Sequence, residues 1–340
     1  MKIGINGFGR IGRAVYRLMW GCTDIECVNI NEPFATIEDI VYFLKYDSQY
    51  GCFSDNIDII DGNTIRLSNQ YKALFTHISH FENVSKYCEI LDEEVYVIES
   101  SGKLENVLYY KKNITRKVIF TLSCLDIPTE IILGVNENKL ARNSSNVISG
   151  SICDTVAIAP VLKAVYECSY IKQTIITTMH PVLTYQKAID NYTDKGIDRV
   201  LGRQYSNSII PKHTSAQTIL QKIFTDKIIN CFSFRIPTES VCVAVIIFVS
   251  DSSIDSEKII DSLKQKDGIS FCNENLVSID FKANTASAIV DMRWLEKIDD
   301  SVLRMTIWYD NEYGYASKII DVLKLWDSLN CKKLLKEDKF

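Results

Sequence analysis

A cysteine and a histidine are the residues of this sequence best suited to covalent chemistry. Cys153 opens a segment, 153–168, whose apolar residues recur with the spacing of a buried helix face. Unpaired N–H groups and the positive end of the helix dipole favour a thiolate there, so this thiol could be nucleophilic near neutral pH. His180 ends a β-branched segment, 174–180, typical of a strand, and could supply the base of a Cys/His pair. A buried structural cysteine and an unrelated loop histidine are the alternative at this point.

The N-terminal segment carries the glycine spacing of a dinucleotide-binding turn. A strand-like segment, 2–5, and a helical segment, 13–20, flank Gly7, Gly9 and Gly12. Gly7 would permit the tight turn, Gly9 the close approach of a pyrophosphate, and Gly12 the close packing of helix on strand. The phosphates would lie at the N-terminus of the helix. A glycine turn in an α/β fold that binds no ligand is the alternative.

An acidic residue follows the next strand. The segment 26–31 is strand-like and is followed by Glu32. A carboxylate at this position can accept hydrogen bonds from the adenosine ribose and repels a 2′-phosphate. We therefore expect NAD as the cofactor, with a preference for NAD over NADP.

Composition and cysteine usage narrow the class of protein. The 340 residues are 46% hydrophobic and 24% charged, with a net charge of −5, which suits two globular domains and argues against a nucleic-acid scaffold. Neither a membrane span nor a signal peptide is recognisable. The eleven cysteines are scattered, with no CxxC and no metal-ligand spacing. We expect a cytoplasmic protein without a membrane or nucleic-acid partner, a disulfide or a metal site.

The order of the predicted elements favours two domains of different architecture. Up to residue 151, strands and helices are mixed as in a parallel doubly wound sheet, with strands at 94–99, 117–122 and 130–133. Beyond Pro160, longer strands dominate, at 174–179, 231–236, 242–249, 276–280, 288–292 and 303–309. The predicted fold class is an α/β Rossmann NAD-binding domain plus an α+β catalytic domain with a mainly antiparallel sheet. We expect residues 1–151 to form the NAD-binding domain, completed by a C-terminal helix at 312–340, and residues 152–311 to form the catalytic domain.

Six segments, in order along nearly the whole chain, carry a family resemblance. They are Asn6–Arg13, Leu44–Ser48, Cys153, Thr177–His180, Phe234–Thr238 and Trp308–Tyr315. They look like the signature segments of the glyceraldehyde-3-phosphate dehydrogenase family. The near relative erythrose-4-phosphate dehydrogenase has a similar frame, and 31–32, 186–190, 208–211 and 287–291 resemble it about as well. The resemblance identifies the superfamily and leaves the substrate open.

The resemblance implies NAD-dependent oxidation of a small phosphorylated aldehyde by a homotetramer. Cys153 would attack the aldehyde to give a thiohemiacetal, His180 would act as base and help to hold the oxyanion, and hydride would leave for the nicotinamide. The thioester is cleaved by inorganic phosphate in the triose enzyme and by water in the erythrose enzyme. In the family, the loop after His180 lies across the cofactor site of a neighbouring subunit.

The resemblance also implies binding residues by motif position. The expected cofactor contacts are Gly7, Gly9, Arg10, Ile11, Gly12, Asn31, Glu32, Ser101, Thr121, Asn311 and Tyr315. The expected substrate and phosphate contacts are Ser151, Thr155, Arg199, Arg203, Thr214, Ser215 and Arg235, of which Arg199 and Arg203 belong to the loop after His180.

Departures from the family pattern surround the cysteine. The family has a threonine where this sequence has Asp154; at about 7 Å and an effective dielectric constant near 20, a carboxylate and a thiolate repel by roughly 2.4 kcal/mol before solvent screening. Leu183 and Tyr185 replace two threonines of the anion sites, and Ser215 replaces a glycine. Three interpretations remain open: an enzyme for glyceraldehyde 3-phosphate, a relative for erythrose 4-phosphate or another phosphorylated aldehyde, and a non-catalytic homologue that keeps cofactor or partner binding.

Overall fold

The structure is a computed structural model of the chain. It describes residues 1–20, 22–67, 72–78, 91–92, 94–113, 116–127, 129–142, 145–193 and 198–337. The chain divides into two compact units, Met1–Ile152 with Ala316–Phe340, and Cys153–Tyr315. Residues 338–340, the end of the C-terminal segment assigned to the NAD-binding domain, lie outside the described part.

The described part of the first unit is built on an eight-stranded sheet with the order β10-β9-β8-β1-β2-β7-β6-β5. The pairs from β10 to β7 are parallel, and β6 and β5 are added antiparallel at one edge. The strands of this unit are β1 (Lys2–Asn6), β2 (Glu26–Asn31), β3 (Tyr46–Asp47), β4 (Gly51–Cys52), β5 (Ile57–Asp61), β6 (Thr64–Leu67), β7 (Lys72–Thr76), β8 (Tyr96–Glu99), β9 (Val118–Phe120) and β10 (Val147–Ser149), of which β3 and β4 pair with each other.

This strand order places a ligand cleft at the ends of the central strands. After β1 and β2 the chain continues to the edge strand β5, comes back through β6 to β7 beside β2, and then crosses to β8 on the other side of β1. In a doubly wound sheet, ligands bind where the strand order reverses, at the carboxyl ends of the strands. The helices of the unit are α1 (Arg10–Met19), α2 (Ile37–Lys45), α3 (Glu105–Asn113) and α4 (Asn138–Arg142).

The second unit contains, among its described residues, a seven-stranded sheet with the order β12-β13-β11-β14-β17-β16-β15. Two pairs, β11 with β13 and β15 with β16, are parallel, and the others are antiparallel. The strands are β11 (Gln173–His180), β12 (Ile210–Lys212), β13 (Ile228–Arg235), β14 (Cys242–Val249), β15 (Ile269–Cys272), β16 (Ala288–Asp299) and β17 (Val302–Tyr309). The helices are α5 (Cys153–Cys168), α6 (Ala216–Ile223) and α7 (Ser256–Lys264), and α8 (Tyr313–Glu337) begins in this unit. The predicted fold class is confirmed.

The packing of the second unit follows from alternation along its strands. Buried and more exposed residues alternate along β13 and β14, so one face of the sheet is covered. Helix α6 packs against β13, and α5 packs against α6 and α7. Burial is nearly complete along α5, which fixes its first turn, and therefore Cys153, relative to the sheet.

The strand predicted at 130–133 is wrong. Only Glu130 forms a bridge, to Ser149, and the chain then turns. The amide of Asn136 holds the turn: its Oδ1 accepts from the Ile132 N–H at 2.8 Å, and its Nδ2 donates to the Glu130 carbonyl at 2.9 Å. The side chain thus takes the backbone groups that a neighbouring strand would have bonded.

The strand predicted at 276–280 is also wrong. A 3₁₀ helix, Ser278–Phe281, occupies this segment. The carboxylate of Asp280 accepts the Val277 N–H at 2.8 Å, and this local bond favours a turn over an extended backbone. No helix in the described ranges is long and apolar enough to cross a membrane.

Candidate active site

The start of α5 and the end of β11 bring the predicted cysteine and histidine together. Sγ of Cys153 lies 3.6 Å from Nε2 of His180. Cys153 is the first residue of its helix and is partly exposed, whereas His180 is the last residue of its strand and is buried. A thiol and a base are therefore in hydrogen-bond contact.

Strand register places a cation next to this pair. β11 and β13 run parallel, and His180 is paired in register with Arg235, the last residue of β13. Side chains paired in register project to the same face of a sheet. The imidazole of His180 and the guanidinium of Arg235 therefore project side by side from the same face of the sheet.

The hydrogen bond of the other ring nitrogen fixes the tautomer of His180. Its Nδ1 lies 2.7 Å from the carbonyl oxygen of Pro181. A carbonyl only accepts, so Nδ1 carries the proton and Nε2 presents its lone pair to the thiol. Burial, with help from Arg235, lowers the pKa of His180 to about 4. The imidazole is neutral at pH 7 and can accept a proton from Cys153.

Asp154 lies closer to the thiol than the sequence suggested. Its Oδ1 is 3.7 Å from Sγ of Cys153, instead of about 7 Å. The same oxygen accepts the Tyr309 hydroxyl at 2.8 Å, and Oδ2 is 3.5 Å from the Thr214 hydroxyl. Asp154 occupies the first turn of α5, where the helix dipole favours a carboxylate. A thiolate would meet a repulsion of about 4 kcal/mol at the same effective dielectric constant, more than the sequence-based figure.

The electrostatics of the thiol differ from the expectation for a helix N-terminus. Burial and then Asp154 raise the pKa of Cys153 well above its ordinary value, and Arg235 offsets only part of this effect. The helix position alone therefore does not yield a thiolate. The unliganded pair is a neutral thiol beside a neutral imidazole, and proton transfer to His180 must accompany attack on a substrate.

Cationic groups next to the pair suit an anion. Nε of Arg235 is buried and has no hydrogen-bond partner among the residues that the structure describes. The Tyr185 hydroxyl accepts from Nζ of Lys212 at 2.9 Å. Burial alone would raise the pKa of Tyr185, but Arg235 and Lys212 lower it below its ordinary value. A pocket of about 380 Å³ is lined by Tyr185, Asp198, Leu201, Lys212 and His213.

The glycine turn of the first unit has the geometry that a pyrophosphate needs. Gly7 has a φ of 90°, and a Cβ there would lie 2.4 Å from the Ser101 nitrogen; a Cβ on Gly12 would lie 2.3 Å from the Gly7 carbonyl oxygen. At Gly9, in contrast, a Cβ would meet open space, with no described heavy atom within 4 Å apart from those of its neighbours in the chain. Gly7 and Gly12 are thus required by packing, and Gly9 leaves room for a ligand at the start of α1.

Polar residues at the strand ends complete this cleft. Glu32 accepts the N–H of Phe8 at 2.8 Å, so its carboxylate lies against the glycine turn, as a ribose partner should. The amide of Asn31 instead bonds to Asn6 at 2.7 Å and to the Ile78 N–H at 2.9 Å, which ties strand ends together. These contacts support a structural role for Asn31 rather than a contact with adenosine.

Ser101 and Thr121 both form hydrogen bonds to the buried residue Glu99. Ser101 donates its N–H to the Glu99 carboxylate at 3.0 Å, and its hydroxyl also bonds there. Thr121 donates its N–H to the Glu99 carbonyl at 3.0 Å. Burial raises the pKa of Glu99, although its hydrogen bonds oppose the rise. Glu99 was not among the predicted site residues, although its position as the last residue of a buried strand was an available signal.

Arg10 and Ile11 form the first turn of α1. The guanidinium of Arg10 bonds to Asp47 at 2.5 Å and to Gln49, and it lies 5.4 Å from the centre of the Tyr50 ring. Ile11 is partly exposed beside it. Arg10 therefore braces the segment after α2.

The remaining predicted cofactor residues lie at the end of the second unit. Asn311 is buried, and its Oδ1 has no hydrogen-bond partner within the described residues. An orphaned amide oxygen suits an amide N–H donor such as that of nicotinamide. Tyr315 is also buried. Taken separately, the open space at Gly9 suits a pyrophosphate and the Asn311 oxygen suits a carboxamide, which are two parts of NAD.

The predicted phosphate residues other than Arg235 divide into three groups. Thr214 lies at the site, since it bonds to Asp154 and also accepts the Ala216 N–H at 3.2 Å, with Ser215 as the N-cap of α6. Ser151, with a φ of 63°, and Thr155 are fully buried. Arg199 and Arg203 are exposed, and Arg203 forms a 2.8 Å ion pair with Asp190. Arg203 is therefore engaged with a carboxylate of the same loop, and a phosphate contact by Arg199 or Arg203 stays a prediction.

Sequence analysis also missed Tyr309, which bonds to the carboxylate beside the thiol. It belongs to the segment Trp308–Tyr315 that carried the resemblance. No spacing rule links Tyr309 to Asp154, because the two residues are 155 positions apart. Only the structure shows the contact.

The Rossmann sheet, the separate α+β unit and the thiol–imidazole pair define the class as a dinucleotide-dependent enzyme with the groups of thiol chemistry. Residues 1–107 match the family model of the glyceraldehyde 3-phosphate dehydrogenase NAD-binding domain, and residues 152–311 match that of the C-terminal domain. A chloroplastic glyceraldehyde-3-phosphate dehydrogenase of Arabidopsis thaliana is 31% identical over 95% of this chain and 77% of its own length. Cytosolic glyceraldehyde-3-phosphate dehydrogenases of Pisum sativum (31% identical, 95% of this chain and 97% of that protein) and Oryza sativa subsp. japonica (30%, 97% and 99%) are also similar.

The chain belongs to the glyceraldehyde-3-phosphate dehydrogenase family. It is an NAD-dependent oxidoreductase, and the expected cofactor is confirmed.

Proposed function

We propose that this protein oxidises glyceraldehyde 3-phosphate with NAD through a covalent intermediate on Cys153. The observation that carries the proposal is the 3.6 Å contact between Sγ of Cys153 and Nε2 of His180, with the histidine held in the tautomer of a base by the Pro181 carbonyl. The names of the similar proteins from Arabidopsis, Pisum and Oryza support this substrate.

Cys153, His180 and Arg235 have separate roles in the proposed reaction. Sγ of Cys153 attacks the aldehyde carbon, a C–S bond forms, and the thiol proton passes to Nε2 of His180. The imidazolium then stabilises the negative charge on the former carbonyl oxygen. Arg235, with its unpaired Nε, binds a phosphate oxygen. Bound NAD would supply the acceptor for the hydride on the carbon attached to sulfur, and a thioester on Cys153 would remain.

The chemistry of individual residues supports the proposed NAD contacts. Gly7, Gly9 and Gly12 shape a turn suited to a pyrophosphate, and Glu32 would accept the ribose hydroxyls. The orphaned Oδ1 of Asn311 would accept from a nicotinamide amide. A 2′-phosphate would meet the Glu32 carboxylate, which favours NAD over NADP. We also propose the domain limits expected from the sequence. The NAD-binding domain comprises 1–151 with 312–340, and the catalytic domain comprises 152–311.

Water is the second candidate for the acceptor that cleaves the thioester. Tyr185 replaces a threonine of the family's anion sites, and its hydroxyl bonds to Lys212 rather than remaining available for a phosphate. A lost hydrogen bond to a charged group costs about 1.5–3 kcal/mol. Inorganic phosphate is therefore expected to act with a high KM, and an erythrose 4-phosphate dehydrogenase that uses water is the alternative that this observation favours.

Formation of NADH separates the candidates. Purified protein is mixed with glyceraldehyde 3-phosphate or erythrose 4-phosphate, each with and without inorganic phosphate. Phosphate-dependent NADH formation with the triose supports the proposal, and phosphate-independent turnover of the tetrose supports the alternative. If none of the four reactions forms NADH and a separate titration still shows NAD binding, the protein is a non-catalytic homologue.

The proposal extends to location. A cytosolic protein is favoured by the Pisum and Oryza relatives, whose names place them in the cytosol, although the Arabidopsis relative is chloroplastic. Localisation of a tagged full-length chain tests this point, and accumulation in an organelle would contradict it.

A further inference from the structure

Three potential metal ligands converge at the start of α5. Single ligand atoms of Cys153, Asp154 and His180 all lie within 4.8 Å of one another, the only such group in the described part of the chain. Sγ of Cys153 lies 3.6 Å from Nε2 of His180 and 3.7 Å from Oδ1 of Asp154. Zinc–ligand bonds of about 2.0–2.3 Å at tetrahedral angles give ligand separations of about 3.5 Å. The two separations from Sγ thus match those of zinc ligands, and the separation between the His180 and Asp154 ligand atoms is at most 4.8 Å.

The bonds behind these ligands are those that support a metal centre. Ligating histidines usually donate their other ring N–H to a carbonyl or carboxylate, and ligating carboxylates are themselves hydrogen-bonded. Nδ1 of His180 donates to the Pro181 carbonyl at 2.7 Å, which turns the Nε2 lone pair toward the group. Oδ1 of Asp154 accepts from the Tyr309 hydroxyl at 2.8 Å. Both orientations are therefore set before a metal arrives.

We propose that Cys153, Asp154 and His180 form a Zn²⁺ site at the position of the nucleophile. Thiolate and imidazole are preferred ligands of zinc, a carboxylate completes three protein ligands, and the exposed side of Cys153 leaves the fourth position to water or an anion. Binding releases the thiol proton to solvent and involves no change of oxidation state. The third ligand is the residue at which this chain departs from the family's threonine.

Charge at the site sets the expected affinity. Thiolate and carboxylate together neutralise the two charges of the ion, while the nearby Arg235 opposes binding and favours an anion in the fourth position. Bound zinc would occupy both the sulfur lone pair and the Nε2 lone pair. If Cys153 is the nucleophile of the proposed function, zinc is then a reversible inhibitor; zinc binding itself does not depend on that function.

Direct metal binding tests the site without an activity assay. Reduced, chelator-free, full-length protein is titrated with Co²⁺, and thiolate-to-cobalt charge-transfer absorption is recorded; Zn²⁺ is then added in competition with a chromophoric chelator. We expect one high-affinity ion per chain, loss of the charge-transfer band in Cys153→Ser, and affinity lower by about 10-fold or more in Asp154→Asn. Tyr309→Phe should weaken binding by about 10-fold.

The chain offers a matched control pair. Sγ of Cys124 lies 3.7 Å from Oδ2 of Asp126, the same separation as in the proposed site, but no third ligand joins it among the described residues. Cys124→Ser and Asp126→Asn should leave the cobalt spectrum and the zinc affinity unchanged. A loss of binding in these variants equal to that in Cys153→Ser would overturn the proposal.

An alkylation experiment on the wild-type protein tests the zinc site even if a variant does not fold. Zn²⁺ should slow the alkylation of Cys153 by iodoacetamide at pH 8, as followed by peptide mass spectrometry, and should leave Cys124 unprotected. An equal rate for Cys153 with and without zinc, or wild-type zinc affinity in folded Asp154→Asn, would show that these residues do not form a zinc site.

Discussion

The carboxylate of Asp154 is expected to lower the reactivity of the Cys153 thiol at neutral pH. It lies 3.7 Å from Sγ and, after burial, is the second cause of the raised pKa of Cys153. We expect Asp154→Asn to increase the rate of iodoacetamide alkylation of Cys153 at pH 7 by about 3-fold to 10-fold. Each unit of lowered pKa raises the thiolate fraction tenfold, but the weaker nucleophilicity of the thiolate cancels part of the gain.

The control for this experiment is Asp126→Asn, which removes a carboxylate at the same distance from a different thiol. It should not change the alkylation rate of Cys153. An unchanged rate in Asp154→Asn would mean that burial alone sets the pKa of the thiol.

His180 makes stability depend on pH. Burial and Arg235, opposed by Asp154 and with a smaller effect of Lys212, lower its pKa to about 4 from an ordinary value near 6.5. Between these values the unfolded chain binds a proton that the folded chain does not, so stability is retained above pH 6.5 and lost as pH falls toward 4. From pH 7 to pH 5 we expect wild type to lose roughly 2 kcal/mol more of its free energy of unfolding than His180→Asn.

Denaturant unfolding of both proteins at the two pH values measures this difference. His77→Asn, in the first unit, serves as the control and should follow wild type. Parallel losses in wild type and His180→Asn would show that His180 titrates normally in the folded protein.

At the residue scale, the sequence supported the identity of the reactive pair but not its electrostatics. Cys153 and His180 were predicted from a helix start and a strand end, and both elements lie where expected. The distance to Asp154 was not predictable, because neighbours in a sequence can point apart or together depending on a side-chain torsion. That torsion is set here by Tyr309, which is 155 residues away.

The loop after β11 and the strand β12 carry two residues that are expected to affect the binding of inorganic phosphate. Tyr185 lies in the loop that follows β11, and its hydroxyl bonds to Lys212 at the end of β12. Tyr185→Thr restores the family's residue and releases Lys212, so we expect the KM for inorganic phosphate to fall by about 10-fold or more. Initial rates of NADH formation across a phosphate series measure this change.

Tyr170→Thr is the matched control, because Tyr170 is an exposed tyrosine of the same unit that stacks with Lys227 instead. Its KM for phosphate should equal that of wild type. A low-millimolar KM in wild type that Tyr185→Thr leaves unchanged would contradict this interpretation of the loop.

Element prediction succeeded where burial imposed a periodic pattern. The helix Ser256–Lys264 has the predicted bounds because its apolar face is regular. The helix at 153–168 also has the predicted bounds, although it is buried on more than one face. Prediction failed at 130–133 and 276–280, where the side chains of Asn136 and Asp280 hold local turns in apolar sequence. Such side-chain bonds override a strand-like pattern that is only four or five residues long.

At the scale of the whole molecule, the loop after β11 carries apolar side chains that the chain itself does not cover. Ile189 is 79% exposed and Tyr192 is 93% exposed. We expect a homotetramer in which this loop contacts a neighbouring subunit. Analytical ultracentrifugation should give four times the chain mass of 38.8 kDa for wild type, and smaller species for Ile189→Asp and Tyr192→Asp.

Tyr170→Asp, at another exposed tyrosine, should remain tetrameric. A monomeric wild type at micromolar concentration would contradict the expected assembly. Assembly could not be derived from composition or periodicity, because single exposed apolar residues are common on monomers and only the family resemblance indicated a tetramer.

Trapping the acyl-enzyme shows directly whether Cys153 forms the proposed covalent intermediate. Protein, NAD and glyceraldehyde 3-phosphate are mixed without inorganic phosphate, quenched in acid, and examined by intact and peptide mass spectrometry. We expect a 3-phosphoglyceroyl thioester on Cys153, formed with about one NADH per chain and absent from Cys153→Ser. NADH formation with no adduct on Cys153, or wild-type turnover by Cys153→Ser, would contradict it.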